Sequence, residues 1–311
     1  MAEYVGIDLG ATHCRIAVTD TEGSILARDD RPTPQGPTGA DITEAILDGV
    51  RTVCANVGVT PADLAAAGIG SIGPLDWEAG AVAMGVNIEG DVGQIPLRTP
   101  VADLIDGPVA LRNDAVAGAI GERATLTPKP EHLVYITVST GIGVGAIVDG
   151  HVLSGRDGNA GEMGHVVVDL EERLSCGCGG AGHWEAYCSG RNLPRFARLL
   201  ATGTDTELAL DALTAADLFD NPADPLADRT LEEMTRYNAI GLAATVHAFA
   251  PEVVSIGGTV ALENTERVID AMRDRVTDHL AVEAPTVRPA NLGADSVLHG
   301  AIQIARTTTN P

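Results

Sequence analysis

Four potential metal ligands lie close together near the middle of the chain. They are two histidines and two cysteines spread over 19 positions: His165, Cys176, Cys178 and His183. Thiolate sulfur and imidazole nitrogen suit a tetrahedral Zn²⁺, and a short C-x-C pair suits a closed structural site. Glycines around the pair allow the tight backbone turn that brings both thiolates to one ion. The segment therefore predicts a structural zinc site, and the alternative is a glycine-rich loop with buried free cysteines.

Two turns rich in glycine and hydroxyl groups could bind phosphate oxygens. In the first, Gly10 permits close backbone approach, Thr12 offers a hydroxyl to a phosphate oxygen, and Asp8 can hold a hydrated Mg²⁺. Residues 139–143, Ser-Thr-Gly-Ile-Gly, repeat this arrangement, with exposed N–H groups that form a nest for anionic oxygen. Neither turn is a Walker A loop, because the only lysine, Lys129, lies elsewhere. For the first turn alone, a plain hairpin is the alternative.

Two residue pairs follow predicted strands. Asn113-Asp114 begins a helix, where a carboxylate could take the proton of an attacking hydroxyl. Asn and Asp also cap helices for structural reasons, and spacing alone favours the cap. Gly257-Gly258 could let a flat adenine ring approach the backbone, whereas the pair by itself favours a strand-to-helix turn.

A repeated strand pattern must position these residues. A strand, a glycine- and threonine-containing loop, a second strand, an acidic turn and a third strand occur twice, on either side of a turn-rich break at 127–130. This repeat predicts duplication into two similar α/β domains. The predicted strands are 4–9, 14–20, 23–27, 67–74, 108–112, 133–138, 144–148, 151–153 and 252–256, and the predicted helices are 38–57, 113–124 and about 296–307, with a helical region at 190–250.

Length and charge limit the classes of function. The chain has 311 residues, is 45% hydrophobic and carries a net charge of −23, from 43 acidic and 20 basic residues. We therefore expect a globular protein of two domains, and a nucleic-acid partner is disfavoured because phosphate binding needs a basic face. The acidic, lysine-poor composition predicts a protein from a salt-rich cytoplasm, where molar salt shortens the Debye length to about 3 Å. The alternative is an ordinary acidic protein from a GC-rich genome.

Cysteine use and the N-terminal segment indicate a cytoplasmic location. Five cysteines, two of them in the C-x-C pair, predict reduced thiols rather than disulfides. Cys14, Cys54 and Cys188 are expected to be small buried apolar residues. The chain enters a strand pattern at once, without a basic segment and apolar run, and no apolar run reaches the length of a membrane span.

Taken together, these motifs resemble the ROK family, which holds bacterial and archaeal sugar kinases and sugar-sensing repressors. The resemblance spans nearly the whole chain, and its most specific parts are Glu-x-Gly-His at 162–165 and the segment 176–185. It implies an α/β fold of the actin-like (ribonuclease H-like) type, with two duplicated domains closing over a cleft. We expect a small N-terminal domain at 1–112, a large domain at 113–295 that carries the zinc loop, and a C-terminal helix at about 296–311 packed on the small domain.

The resemblance also implies a role for each matching residue. Asp114 matches the catalytic base, and Gly257 and Gly258 match the adenosine side of the nucleotide site. The matching sugar ligands are Asn87, Asn113, Asp114, Glu162, His165 and Glu185, the phosphate-binding residues are Asp8, Gly10, Thr12, Thr140, Gly141 and Gly143, and the zinc ligands are His165, Cys176 and Cys178. The family usually has a third cysteine where this chain has His183, and histidine can also ligate Zn²⁺.

The function implied is ATP- and Mg²⁺-dependent phosphorylation of a hexose, with glucose as the default substrate and zinc as a structural ion. Fructose, N-acetylhexosamine and mannose kinases are the alternatives, the first because of the loop at 71–74. A repressor is disfavoured, since the first strand begins at Tyr4 and leaves no room for a helix-turn-helix. A sugar sensor without catalysis is expected to lack the base. We expect sugar and nucleotide as ligands, no nucleic acid or membrane partner, and a homo-oligomer (dimer or tetramer).

Overall fold

A computed structural model describes residues 3–85, 88, 90 and 92–308. The strands are β1 (Tyr4–Leu9), β2 (His13–Thr19), β3 (Ile25–Pro32), β4 (Ala66–Ser71), β5 (Leu75–Asp76), β6 (Ala81–Val82), β7 (Ile95–Pro96), β8 (Val109–Asn113), β9 (Leu133–Val138), β10 (Ile142–Val148), β11 (His151–Val152), β12 (Val253–Gly257) and β13 (Thr286–Pro289). The helices are α1 (Gly39–Val57), α2 (Arg98–Ile105), α3 (Asp114–Ala124), α4 (Glu185–Cys188), α5 (Leu193–Leu200), α6 (Ala215–Asp220), α7 (Pro225–Phe249), α8 (Thr259–Glu263), α9 (Ala271–Val276) and α10 (Ser296–Thr308).

The described residues form two compact units. The first contains the chain up to Lys129, the segment His151–Ala160 and the chain from Asp295 onward. The second contains Pro130–Gly150 and Gly161–Ala294. The first unit extends beyond residue 112, the boundary expected from the sequence, because α3 packs against α10 and β4 within it.

The first unit is built on a five-stranded sheet in the order β3-β2-β1-β4-β8. β1 pairs antiparallel with β2 and parallel with β4, and β4 pairs parallel with β8. Every residue of β1 is buried, as expected for a central strand covered on both faces. The register places Leu9 beside Ser71 and Ser71 beside Asn113, so the carboxyl ends of three parallel strands lie at one edge. Ligands bind at this edge in open α/β sheets.

The last helix of the chain packs on this first sheet. α10 contacts α3, β4 and β1. Two glycines permit the close approach: a Cβ at Gly68 would overlap the carbonyl oxygen of Ala301, and a Cβ at Gly300 would overlap that of Ala117. The helix therefore lies directly on the strands and on the helix that begins at Asp114.

The second unit repeats the strand arrangement of the first. Its strands are ordered β10-β9-β12-β13, with β9 antiparallel to β10 and parallel to β12, and β12 parallel to β13. This is the pattern of β2-β1-β4-β8, so the duplication predicted from the strand repeat is confirmed. The long helix α7 packs against α5 and α9 and covers much of this unit's core.

Most predicted elements are confirmed, with some shifts at their ends. β3 runs to Pro32, five residues past the predicted strand, and the helical region at 190–250 divides into α5, α6 and α7. Cys14, Cys54 and Cys188 are buried, as predicted. Among the described residues, no helix combines the length and the hydropathy needed to cross a membrane.

Candidate active site and metal centre

Asp8 is the next-to-last residue of β1, the central strand of the first unit, and its carboxylate is buried. Arg15 on the neighbouring strand donates from Nη1 to Asp8 Oδ2 at 2.9 Å. Burial raises the pKa of Asp8 to about 6, and the charge and hydrogen bond of Arg15 oppose that increase. Arg15 therefore favours the ionised form, which could hold the hydration shell of a cation. Arg15 belongs to no motif, and sequence reasoning missed it.

The turn that follows β1 is held by Thr33, the residue after the end of β3. Gly10 N donates to the carbonyl of His13 at 2.9 Å, and Gly10 O accepts the hydroxyl of Thr33 at 2.8 Å. The amide of Thr33 donates to Thr12 O at 2.9 Å, while the side chain of Thr12 is exposed. These hydrogen bonds fix the backbone of the turn. The Thr12 side chain is exposed, with its hydroxyl 3.2 Å from His13 Nδ1, and a phosphate oxygen could reach it from solvent. Thr33, which braces the turn, was also missed.

Asp114 is the first residue of α3, at the same edge of the first sheet. The Asn113 side chain accepts a hydrogen bond from Ala115 N at 2.9 Å, so the helix cap favoured by spacing is confirmed. Asp114 Oδ1 accepts from the same amide at 2.7 Å. The positive end of the helix dipole stabilises a carboxylate at this place. The position suits a carboxylate that takes a proton from an approaching hydroxyl.

In the second unit, the turn at 139–143 follows β9. Within this turn, the backbone amide of Ser139 donates a hydrogen bond to Gly141 O at 2.9 Å. Glu185 Oε2 accepts the amide of Ile142 at 2.9 Å, and a Cβ at Gly141 would lie 2.6 Å from that oxygen. Glu185, which the resemblance implies to be a sugar ligand, therefore also supports the predicted phosphate-binding turn.

The glycine pair at the end of β12 forms a strand-to-helix turn, as the pair alone favoured. Gly257 lies beside Thr137 in the sheet register, and α8 begins at Thr259. Gly258 has φ +88°, and a Cβ there would overlap the carbonyl of Val138. Position 258 therefore requires glycine for packing. The missing side chain would also leave room for a ligand to approach the backbone.

The two histidines and two cysteines predicted as zinc ligands come together within the second unit. Their ligand atoms all lie within 4.8 Å of one another. Cys176 Sγ is 3.6 Å from His165 Nδ1, and Cys178 Sγ is 3.3 Å from His183 Nδ1. A tetrahedral ion with bonds of about 2.0–2.3 Å separates neighbouring ligand atoms by roughly 3.5 Å. The cluster therefore fits a Zn²⁺ ion with a His₂Cys₂ ligand set.

Backbone hydrogen bonds fold the metal-binding loop, residues 165–183. Val168 N donates to Gly182 O at 2.9 Å, and Cys176 N donates to Gly180 O at 2.8 Å. Gly182 has φ +72°, and a Cβ there would overlap the carbonyl of Asp169. Burial raises the pKa of the Cys176 thiol to about 11, so a bound cation would have to supply the charge that stabilises its thiolate.

Two carboxylates, those of Glu162 and Glu185, lie close to the predicted metal ligands. Glu162 Oε2 is 3.5 Å from His165 Nε2, while His165 Nδ1 faces Cys176. Metal-binding histidines commonly pair their second nitrogen with a carboxylate in this way. Glu185 Oε1 lies 3.8 Å from Cys176 Sγ. Burial, followed by the charge of His165, lowers the pKa of His183 and favours the neutral imidazole that a metal requires.

The predicted site residues divide between the two units. One sheet edge of the first unit holds Asp8, Gly10, Thr12, Asn113 and Asp114. The second unit holds Thr140, Gly141, Gly143, Glu162, His165, Cys176, Cys178, His183, Glu185, Gly257 and Gly258. Asn87 lies outside the described residues.

Comparison with known proteins places these features in one family. Residues 4–308 match the model of the ROK family. The chain is 36% identical over 308 residues to a glucokinase from Pyrobaculum calidifontis, covering 99% of this chain and 96% of that protein. A ROK hexokinase structure from Thermus thermophilus matches with a TM-score of 0.82 and 35% identity, over 98% of both chains. A ROK glucokinase from Streptomyces griseus, in complex with glucose and AMPPNP, matches with a TM-score of 0.80 and 32% identity, over 98% of this chain and 100% of that one.

Proposed function

This chain belongs to the ROK family, as an ATP-dependent sugar kinase with the family's actin-like α/β fold, and we propose that its substrate is glucose, phosphorylated at the primary hydroxyl. The observation that carries the proposal is the match over 98% of the chain to a glucokinase that binds glucose and AMPPNP. The predicted catalytic carboxylate, Asp114, is present at a strand-to-helix junction in the first unit.

We assign the proton transfer to Asp114. As the hydroxyl oxygen of the sugar attacks the γ-phosphorus of ATP, its proton passes to the Asp114 carboxylate, the new O–P bond forms, and the bond to ADP breaks. A carboxylate at the first turn of α3 is pre-positioned by the helix, so little reorganisation is needed at the moment of reaction. Asn113, Glu162, His165 and Glu185 are proposed to bind the other sugar hydroxyls, and Asn87 keeps that role as a prediction.

Phosphate binding is proposed for both glycine-containing turns. The Thr12 hydroxyl and the backbone at Gly10 would bind phosphate oxygens, as would the backbone of the 140–143 turn. Mg²⁺, bound with the nucleotide, supplies neutralisation of the phosphate charge. The buried carboxylate of Asp8, which accepts a hydrogen bond from Arg15, is suited to hold the hydration shell of that ion. Gly257 and Gly258 keep the adenosine role as a proposal.

The metal cluster is proposed to be structural. Its four protein ligands complete a tetrahedral set and leave no open position for a reacting water. When bound, Zn²⁺ would cross-link its four ligands and so fix the conformation of the loop. The ligand His165, the neighbouring Glu162 and Glu185 beyond the loop would then keep stable positions for hydrogen bonding.

The substrate is tested by an ADP-release assay across a panel of sugars at fixed ATP and Mg²⁺. Glucose should give the highest kcat/KM among glucose, mannose, fructose, N-acetylglucosamine and N-acetylmannosamine. A hydrogen-bonded polar site discriminates strongly against an analogue that leaves its buried groups unpaired. A higher kcat/KM for fructose, mannose or either N-acetylhexosamine would assign the chain to a different sugar, and no ADP release with any sugar would contradict the kinase assignment.

Stability and kinase activity are both expected to increase from low salt into the molar KCl range. A net charge of −23 makes the folded state self-repelling at low ionic strength, and salt screens that repulsion. Thermal melts and initial rates at fixed Mg²⁺ and varied KCl measure the effect. A parallel series in sucrose, which stabilises by exclusion without screening charge, serves as control. A melting temperature that stays flat or falls with KCl would show that the acidity is not an adaptation to salt.

A further inference from the structure

A buried polar group outside the ligand set supports the metal-binding loop. Its centre is Asp169, whose side chain is 6% exposed. The carboxylate accepts hydrogen bonds from Arg173 Nε at 3.0 Å, from Arg173 N at 3.2 Å and from the Tyr187 hydroxyl at 2.6 Å. A buried carboxylate is stable only when donors replace the water it has lost, and these donors do so. We call Asp169, Arg173 and Tyr187 the loop anchor.

The anchor joins the loop to three helices of the second unit, α4, α5 and α7. Tyr187, on α4, is fully buried, and its ring packs against Phe196 on α5 with centroids 5.1 Å apart. Arg173 donates to the hydroxyl of Tyr237 on α7. The position of the anchor is thus set by the core of the unit rather than by the loop itself.

Hydrogen bonds lead from the anchor to the segments that carry the ligands. The Tyr187 hydroxyl accepts the amide of Leu174, two residues before Cys176. Leu174 O accepts the amide of Gly182, the residue before His183. Gly182 O accepts the amide of Asp169 at 3.1 Å. Three segments of the loop, at Asp169, Leu174 and Gly182, are therefore joined to one another by hydrogen bonds, and each lies within four residues of a ligand.

These hydrogen bonds hold together the backbone segments that carry the ligands. A loop that must be ordered by its ion spends part of the binding energy on that ordering, whereas a preorganised loop does not. The loop anchor makes no contact with the ion's ligand atoms, so its effect on the metal must act through the backbone.

We propose that Asp169 and Tyr187 are positioning residues that preorganise the zinc site. The inference rests on the proposed zinc binding of His165, Cys176, Cys178 and His183. It adds that metal affinity depends on two side chains that do not bind the metal. Loss of either one should raise the rate of zinc release while leaving the ligand set unchanged.

The variants Asp169→Asn and Tyr187→Phe test this in the full-length protein. Asp169→Asn removes the negative charge that pairs with Arg173. Tyr187→Phe keeps the packed ring and removes both hydrogen bonds of the hydroxyl. Zinc release to a chromogenic chelator should become about 10–100-fold faster, the scale found for supporting residues around metal ligands. The Co²⁺-substituted variants should keep the absorption spectrum of a tetrahedral two-thiolate site, because the ligands are unchanged.

Asp224→Asn is the matched control. The Asp224 carboxylate also accepts several hydrogen bonds in the second unit. The bond from Leu226 N caps α7, and the bonds from Thr206 Oγ1 and Glu207 N fix a neighbouring segment, so none of them involves the metal loop. Asp224→Asn should lower the melting temperature and leave the rate of zinc release the same as in the wild type. The proposal is overturned if both anchor variants release zinc at the wild-type rate, or if Asp224→Asn accelerates release equally. Tyr187→Phe carries the test if Asp169→Asn does not fold. A wild-type protein without zinc would instead refute the metal site itself.

Discussion

Replacing Asp114 by asparagine is expected to lower the kcat of sugar phosphorylation by at least about 10²-fold, the usual contribution of a positioned general base. Asparagine has nearly the same size and can still accept the hydrogen bond from Ala115 N, so α3 should begin as before. It cannot take up the proton of the attacking hydroxyl. The KM for sugar should therefore change much less than kcat, and calorimetric titration with glucose should still show binding.

The control for this variant is Asp41→Asn. Asp41 also lies in the first turn of a helix, α1, where its carboxylate accepts hydrogen bonds from the backbone and side chain of Thr38. Its loss weakens a helix cap without touching the proposed site. The expected result is wild-type kcat with a slightly lower melting temperature. Turnover of Asp114→Asn near that of the wild type would remove Asp114 from the mechanism.

Removing a ligand from the metal cluster is expected to abolish stoichiometric zinc binding. The purified wild type should hold about one zinc per chain, as a closed four-ligand site does. Cys176→Ser and His183→Ala should lose the metal or bind it far more weakly, whereas His183→Cys should retain it. Because the ion binds only the folded state, it adds about 4 kcal/mol to stability when free zinc exceeds the Kd a thousandfold. Elemental analysis and thermal melts with and without chelator measure both effects.

The control is Cys54→Ala, which removes a buried thiol from the first unit and leaves the cluster intact. This variant should keep its zinc and its response to chelator, although the cavity lowers its melting temperature. The zinc assignment would be contradicted by a metal-free wild type that is both stable and fully active. If His183→Ala retained one tightly bound zinc, His183 would not be the fourth ligand.

The elements that position the site were predictable where a strong periodicity or a flanking turn marked them. β1 and β9 are mostly apolar, and α1 has apolar residues at helical spacing, so local patterns identified all three. The two-residue strands Leu75–Asp76 and Ala81–Val82 were not predicted, because two residues contain no period. Strand β13 was missed as well, since the four residues Thr286–Pro289 alternate too briefly to stand out from a loop.

The features of the site also fall into two groups, those that motif spacing identified and those that it could not. Motif spacing identified Asp8, Asp114 and the four members of the metal cluster, because residue type and order along the chain carry that information. The partner of Asp8, the guanidinium of Arg15, lies across a strand pair seven positions away. The bond from Ile142 N to Glu185 joins residues 43 positions apart. Neither contact belongs to a local pattern, so neither could be inferred from spacing.

By itself, the sequence determined the chemistry and the family: which groups could bind phosphate, accept a proton or hold zinc, and that the strand pattern occurs twice. The tertiary structure decided which of these groups meet. The sheet register set Leu9, Ser71 and Asn113 side by side, and hydrogen bonds around Asp169 and Tyr187 drew distant parts of one loop together. The physical reason is that residue type and local propensity act over a few positions, whereas burial and hydrogen-bond satisfaction are decided between segments that are far apart in the chain.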